Sequence, residues 1–225
     1  MNRSVIIVAG GLGVRMGGNL PKQFQPLLGK PILVHTIEKF IEVLNPQSKI
    51  VVVLPSEHMA IWDKLLVLFP HLERVQIAAG GKSRYASVKN GLKLISLFGV
   101  VAIHDAVRPL VSKGLIVNAY KEAEEFGSAI PSVEISDSLR IFKNGKLQVV
   151  ERDLVKGIQT PQVFNNQFIQ QAYASVNDSK FITDDATVFE RTGRSLHFIS
   201  GEQSNIKLTN PFDLLIAEAF LGKKF

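Results

Sequence analysis

Short apolar runs rich in β-branched residues recur along the chain at Ser4–Ala9, Lys49–Leu54, Val75–Ala78, Val100–His104 and Ala129–Val133. They read as strands, and their near-continuous apolar character suits strands covered on both faces. Between them the apolar positions shift to helical spacing, which predicts helices over Pro31–Val43, Ser56–Phe69, Ser83–Phe98 and Ser112–Phe126. Pro31 fits a first helical turn, and Ser56, Ser83 and Ser112 are N-cap candidates. Strand–helix alternation at this spacing predicts βαβ units, hence an α/β fold with a mainly parallel, twisted sheet and helices on both faces. Ligands of such sheets gather at the carboxyl ends of the strands. A glycine-rich segment after the first run, Gly80-Gly81 and His104-Asp105 each follow a strand directly, so we expect them to meet there.

The alternation breaks between Ser136 and Glu151. Ser138–Phe142 and Leu147–Val150 flank Lys143-Asn144-Gly145-Lys146, the pattern of a β-hairpin closed by an Asn-Gly type I′ turn. A lone two-stranded ribbon is marginal in water, so its apolar residues need a partner surface. Two readings are open: an antiparallel edge of the main sheet, or an arm that packs on a second subunit. No repeat, linker or low-complexity segment interrupts the rest, so we read residues 1–225 as one domain with this excursion.

Composition narrows the class. A chain of 225 residues with 46% apolar and 20% charged residues is an ordinary globular protein with room for a substantial core. No apolar run approaches the roughly 18–20 residues a membrane span needs, and we expect no signal peptide ahead of the first strand. With no cysteine there is neither a disulfide framework nor a thiolate metal site. We therefore expect a cytoplasmic protein without a membrane partner. The net charge of +6 suits nucleic acid or small phosphorylated substrates. Its Lys and Arg residues are dispersed rather than gathered into stripes with aromatics, which argues against nucleic acid.

Candidate chemistry sits in the strand-end segments. Gly10, Gly11, Gly13, Gly17 and Gly18 crowd one loop with Arg15 and Lys22. Such glycines let backbone N–H groups converge on an anion, and the two cations suit a polyphosphate; a plain tight turn would also use them. The loop matches neither G-x-G-x-x-G nor G-x-x-x-x-G-K-[ST]. Gly80 to Leu92 joins a glycine turn to a helix N-terminus, which is either an ordinary capped helix or a seat for a phosphate or base edge. Asp105 followed by Arg108 is either a structural pair, or an Mg²⁺ ligand beside an arginine that grips a phosphate bidentately. His104 we read as structural. Lys207, between Ile206 and Leu208, is a cleft-facing charge that needs a partner.

The ordered set of segments resembles the 2-C-methyl-D-erythritol 4-phosphate cytidylyltransferase family of nucleotidyltransferases. It comprises the glycine loop ending in Pro21-Lys22-Gln23-Phe24, Gly80 to Leu92, Ile103 to Pro109, Gln159 to Phe164, Thr183-Asp184-Asp185-Ala186 with Glu190, and Gly201 to Leu214. The likeness runs from Val5 to Leu221. It implies a Rossmann-like fold of the nucleotide-diphospho-sugar transferase type, with residues 136–151 as a dimerisation arm of a homodimer. It implies transfer of CMP from CTP, with Mg²⁺, to 2-C-methyl-D-erythritol 4-phosphate with release of pyrophosphate, a step of the non-mevalonate isoprenoid pathway. Arg15, Lys22 and Lys207 would be catalytic. Ala9, Gly10, Gly11, Gly13, Gly81, Lys82, Ser87 and Asp105 would bind nucleotide, Asp105 also helping to hold the metal, and Arg84 would support the loop. Ala106, Arg108, Ser138, Arg152, Thr160 and Thr183 would bind the acceptor, with Ser138 and Arg152 coming from the partner. Thr183 would also suit the N-cap of the following helix. Departures from the family's pattern are Gly10 and Val107 where it has alanine, Ser138 where it has threonine and Arg140 where it has lysine. The two added methyls of Val107 are expected to narrow the pocket slightly. The arm departures leave ribitol 5-phosphate as an alternative acceptor. A non-catalytic nucleotide-binding or nucleic-acid-binding module is the alternative of a different class, and the Arg15–Lys22 pair argues against it.

Overall fold

The computed structural model of the chain describes residues 1–10, 20–176 and 182–222. Strands β1 (Arg3–Val8), β4 (Ile50–Leu54), β5 (Val75–Ala79) and β6 (Val100–Asp105) form the parallel half of the main sheet in the order β5-β4-β1-β6. Two-residue strands β2 (Pro26–Leu27) and β3 (Lys30–Pro31) pair with each other in a small separate sheet. Beyond β6 the sheet continues through β11 (Gln162–Asn165) to β7 (Ser128–Glu134), which also pairs with β10 (Lys156–Ile158) and β12 (Phe198–Ser200). β11 runs antiparallel to both β6 and β7, and β10 antiparallel to β7, so the sheet is mixed on this side.

Side-chain alternation explains how both faces are covered. Along β1, Val5 and Ile7 point into one core with Leu33, Ile37 and Phe40 of α1 (Ile32–Ile41) and Trp62 of α2 (Met59–Leu68). Ile6 points into the opposite core, with Val88 of α3 (Arg84–Leu92), Ile169 of α5 (Asn166–Ser175) and Phe189 of α6 (Asp185–Glu190). Helix α4 (Lys113–Phe126) adds Ile116 and Tyr120 to the first core. A third cluster packs Leu27, Val107 and Leu208 under Ala217 of α7 (Pro211–Gly222). Val107 is therefore a packing residue there as well as a cleft residue, only 4% exposed. Among the described residues no helix is long and apolar enough to cross a membrane.

The expected elements recur with informative shifts. Ser83 and Ser112 cap their helices, accepting from the Ala86 and Leu115 N–H groups. Ser56 does not cap: a 3₁₀ turn over Ser56–His58 precedes α2, which starts at Met59. Helix α3 ends at Leu92 rather than Phe98: the Leu94 and Ile95 N–H groups turn back three residues to the Gly91 and Leu92 carbonyls, and Gln170 of α5 takes the Ile95 and Ser96 carbonyls of the chain beyond. The hairpin forms from β8 (Leu139–Lys143) and β9 (Lys146–Val150), with Asn144 and Gly145 both at positive φ as a type I′ turn requires. It makes a sheet of its own rather than an edge of the main one, and Phe142, Leu147 and Val149 stand exposed.

Candidate active site

The parallel register aligns the carboxyl ends of the central strands. Val8 lies opposite Val53 on one side and Asp105 on the other, and the Gly80 N–H bonds the Leu54 carbonyl at the end of β4. Ala9, Gly10, Gly81, Lys82, Ser87, Asp105, Ala106 and Lys207 thereby line one cleft of about 240 Å³, together with Lys22. The Ser87 hydroxyl accepts the Gly81 N–H at 3.0 Å and so closes the turn onto α3. Gly81 has no room for a side chain, since a Cβ there would lie 2.4 Å from the Ala86 Cβ. Gln23, buried beside Lys22, donates to the Ala9 carbonyl at 2.7 Å and anchors the returning end of the glycine loop to β1. Gly11, Gly13 and Arg15 lie outside the described residues.

Asp105 is the hub of the site. Lys207 Nζ lies 2.9 Å from its Oδ2, Arg108 Nε 3.4 Å from the same oxygen, and Arg84 Nε 3.6 Å from Oδ1. Burial alone would push this carboxyl up; Arg84, Lys207 and Arg108 outweigh that and hold it well below the usual carboxylate range. Lys207 thus has the partner its apolar neighbours demanded. The Arg108 fork is divided between Asp105 and the Asn205 carbonyl, which Nη1 reaches at 2.7 Å. The bidentate phosphate grip expected from the sequence therefore requires Arg108 to give up one of these. Burial also lowers the Arg108 guanidinium, against the opposing effect of Asp105.

His104 is wholly buried, and burial pulls its imidazole down to about 4. Its Nε2 faces the Arg108 carbonyl at 3.2 Å, which can only accept, so Nε2 carries the proton and Nδ1 accepts from the Thr160 hydroxyl at 3.1 Å. That hydroxyl in turn accepts the Asp105 N–H at 3.1 Å. Thr160 and His104 thus hold the backbone around Asp105. The hydroxyl of Thr160, expected on the acceptor, is already committed to this chain.

A second pocket of about 260 Å³ opens beside the cleft and shares Arg84, Asp105 and Lys207 with it, adding Arg108, Thr160, Thr183 and Asp184. The N-cap of α6 is Asp184, which accepts the Thr187 N–H at 3.0 Å, and not Thr183 as expected. A carboxylate in extended backbone (φ −150°, ψ 179°) serves that position, and Thr183 is left exposed at the pocket. Ser138 and Arg152 do not reach either pocket within their own chain; they line a separate groove along the arm.

The sequence reading missed what fastens these parts together. Gln159 donates to the Glu202 carbonyl at 2.7 Å and Asn205 donates to the Thr160 carbonyl at 2.9 Å, which sews the Lys207 segment to the end of β10. Gln162 accepts the Asp185 and Ala186 N–H groups and donates to Asp184. Buried glutamines flanking Thr160-Pro161 were the available signal, since each needs partners; the sequence does not say which.

A glycine turn on a helix N-terminus, a cationic strand-end cleft and an adjoining polar pocket on a Rossmann-like sheet are the marks of a nucleotidyltransferase. The family model for 2-C-methyl-D-erythritol 4-phosphate cytidylyltransferase matches residues 4–223. The enzyme of that name from Phocaeicola vulgatus is 43% identical over 221 residues, covering 98% of this chain and 100% of its own. That from Bacteroides thetaiotaomicron is also 43% identical over 221 residues, with the same coverage. The crystal structure of 4-diphosphocytidyl-2C-methyl-D-erythritol synthase from Anaerococcus prevotii superposes with a TM-score of 0.83 at 27% identity, covering 99% of each chain. The chain belongs to the 2-C-methyl-D-erythritol 4-phosphate cytidylyltransferase family.

Proposed function

We propose that this chain transfers CMP from CTP to 2-C-methyl-D-erythritol 4-phosphate, releasing pyrophosphate, in the non-mevalonate route to isoprenoids. The observation that carries the reading is the sharing of Arg84, Asp105 and Lys207 by the cleft and the adjoining pocket, since an in-line transfer needs its two substrates to meet at one charged wall. An acceptor phosphate oxygen attacks the α-phosphorus of CTP, forming one P–O bond as the bond to pyrophosphate breaks opposite. The nucleophile is already anionic near neutral pH, so no side chain needs to remove a proton, and the neutral, tied His104 is consistent with that. The protein's work is positioning and charge stabilisation.

In this reading the Gly81–Ser87 turn, with Ala9, Gly10, Gly11, Gly13 and Lys82, seats the nucleotide. Arg15 and Lys22 would offset the charge of the triphosphate. Arg108 and Thr183 form the acceptor side, Thr160 lines it with its hydroxyl held by His104 and Asp105, Ala106 borders it from the nucleotide cleft, and Lys207 moves from Asp105 to substrate phosphate. Among the described residues no group of three or more metal-ligating side chains exists, so a protein-only metal site does not fit. Asp105 fits as one oxygen donor to an ion carried mainly by the triphosphate, the usual Mg²⁺ arrangement. When bound, Mg²⁺ would offset charge on the departing pyrophosphate. The exposed apolar arm supports a homodimer in which Ser138 and Arg152 complete the partner's acceptor side. A cytoplasmic location goes with this reading, because CTP is a cytoplasmic metabolite.

Pyrophosphate release over CTP, UTP and ATP, each with methylerythritol 4-phosphate or ribitol 5-phosphate, tests the proposal. The expected outcome is a preference of at least about tenfold for CTP with methylerythritol 4-phosphate, because a site built on the cytosine amino group leaves polar groups unpaired with uracil. Equal rates with UTP would remove the cytidylyl assignment, and a preference for ribitol 5-phosphate would change the acceptor.

A further inference from the structure

Asp185 has no role in the chemistry above, yet it is the most tightly held carboxylate near the site. Its side chain is wholly buried. It accepts from Arg84 Nη1 at 2.9 Å, from Arg84 Nη2 at 2.6 Å and from the Tyr173 hydroxyl at 2.6 Å. A guanidinium is planar and rigid, so pinning both Nη atoms fixes where Nε points. Here Nε lies 3.6 Å from Asp105 Oδ1.

Two chain segments converge on this carboxylate. Arg84 is the first residue of α3, directly behind the Gly81 turn on the nucleotide side. Asp185 is the first residue of α6, two positions after Thr183 on the acceptor side. The Asp185 N–H is fastened to Gln162 at 3.1 Å, and Gln162 also holds Asp184 at 3.0 Å. A ligand that shifts the Thr183–Asp184 segment therefore passes its displacement through Asp185 to Arg84 and the turn ahead of it. The same path runs in reverse from nucleotide to acceptor.

We propose that Asp185 is a positioning residue that couples the two substrates, acting through Arg84, so that each tightens the binding of the other. The inference rests on the function proposed above. It is tested by calorimetry with Mg²⁺, the non-transferable analogue α,β-methylene-CTP and methylerythritol 4-phosphate, each titrated with and without the other. In the wild type each ligand is expected to tighten the other by at least about fivefold, equally in both directions. Asp185→Asn, which keeps the shape but sets an amide N–H against the Arg84 fork, is expected to bring the factor below about twofold. Arg84→Lys, which keeps the charge but loses the fork, should do the same. Tyr173→Phe removes one donor and keeps the ring that stacks on Tyr85, so it should fold and lower the factor at least twofold. A merely structural Asp185 would lower thermal stability and leave the factor unchanged. The inference is overturned by a wild type that binds both ligands independently, or by Tyr173→Phe and any folded Asp185→Asn keeping the wild-type factor. A wild type that binds neither ligand would instead overturn the proposed function, and this inference with it.

Discussion

At the residue scale the site is governed by one carboxylate set among three cations. That balance requires the neighbour of Asp105 to stay uncharged, since a fourth positive charge beside Arg108 and Lys207 would be unfavourable. His104 meets the requirement through burial, which pulls it from 6.5 to about 4. Between these values the unfolded chain takes up a proton that the folded chain refuses. Stability is therefore unaffected by this group above pH 6.5 and falls as pH drops toward 4, by up to about 3 kcal/mol. Thermal midpoints measured across that window should fall more steeply for the wild type than for His104→Asn, whose amide oxygen can stand where Nδ1 accepts from Thr160 and which does not titrate, its lost contact with the Arg108 carbonyl lowering the midpoint alike at every pH. Equal slopes would place the responsible group elsewhere.

At the scale of elements, the glycine turn between β5 and α3 illustrates how tightly backbone and site are fitted. Gly81→Ala would drive a methyl to 2.4 Å from the Ala86 Cβ and 2.9 Å from the Ala86 carbonyl carbon. The turn must shift, carrying the Gly81 N–H off Ser87, so kcat/KM for CTP should fall by roughly tenfold or more, about the loss of one well-made polar contact. Among the described residues, a Cβ at Gly10 meets only the Ser87 Oγ, at an ordinary 3.5 Å. That variant should keep kcat/KM within about twofold, which also explains why alanine is at home there in the family. A Gly10→Ala enzyme as impaired as Gly81→Ala would show that Gly10 approaches the nucleotide more closely than this geometry implies.

At the scale of the whole molecule, the arm is the part that does not complete itself. Among the described residues its two strands pair only with each other, and Phe142 and Val149 are 72% and 73% exposed. A two-fold homodimer would bury these residues on both sides at once and bring Arg152 to the partner's acceptor pocket. Mixing inactive Lys22→Ala with inactive Arg152→Ala tests this. Each mixed dimer then holds one site with both lesions and one with neither. After subunit exchange about a quarter of wild-type activity should return, because half the dimers are mixed and half their sites intact. Exchange verified by mass spectrometry without recovered activity would place Arg152 in its own subunit's site.

The sequence by itself determined the strand–helix alternation, the capped helices at Ser83 and Ser112, the Asn-Gly hairpin and the strand-end segments where chemistry collects. These rest on local periodicity and turn chemistry, which the chain carries without reference to distant parts. It also marked Lys207 as a charge in want of a partner. Only the tertiary structure decided that the partner is Asp105, that β11 enters antiparallel between β6 and β7, and that Asp184 rather than Thr183 caps α6. It alone brought Arg84 between Asp105 and Asp185, residues 80 positions apart in the chain. Such pairings are set by which surfaces meet when the two cores close on the sheet, and a buried charge takes whichever counter-charge that packing delivers.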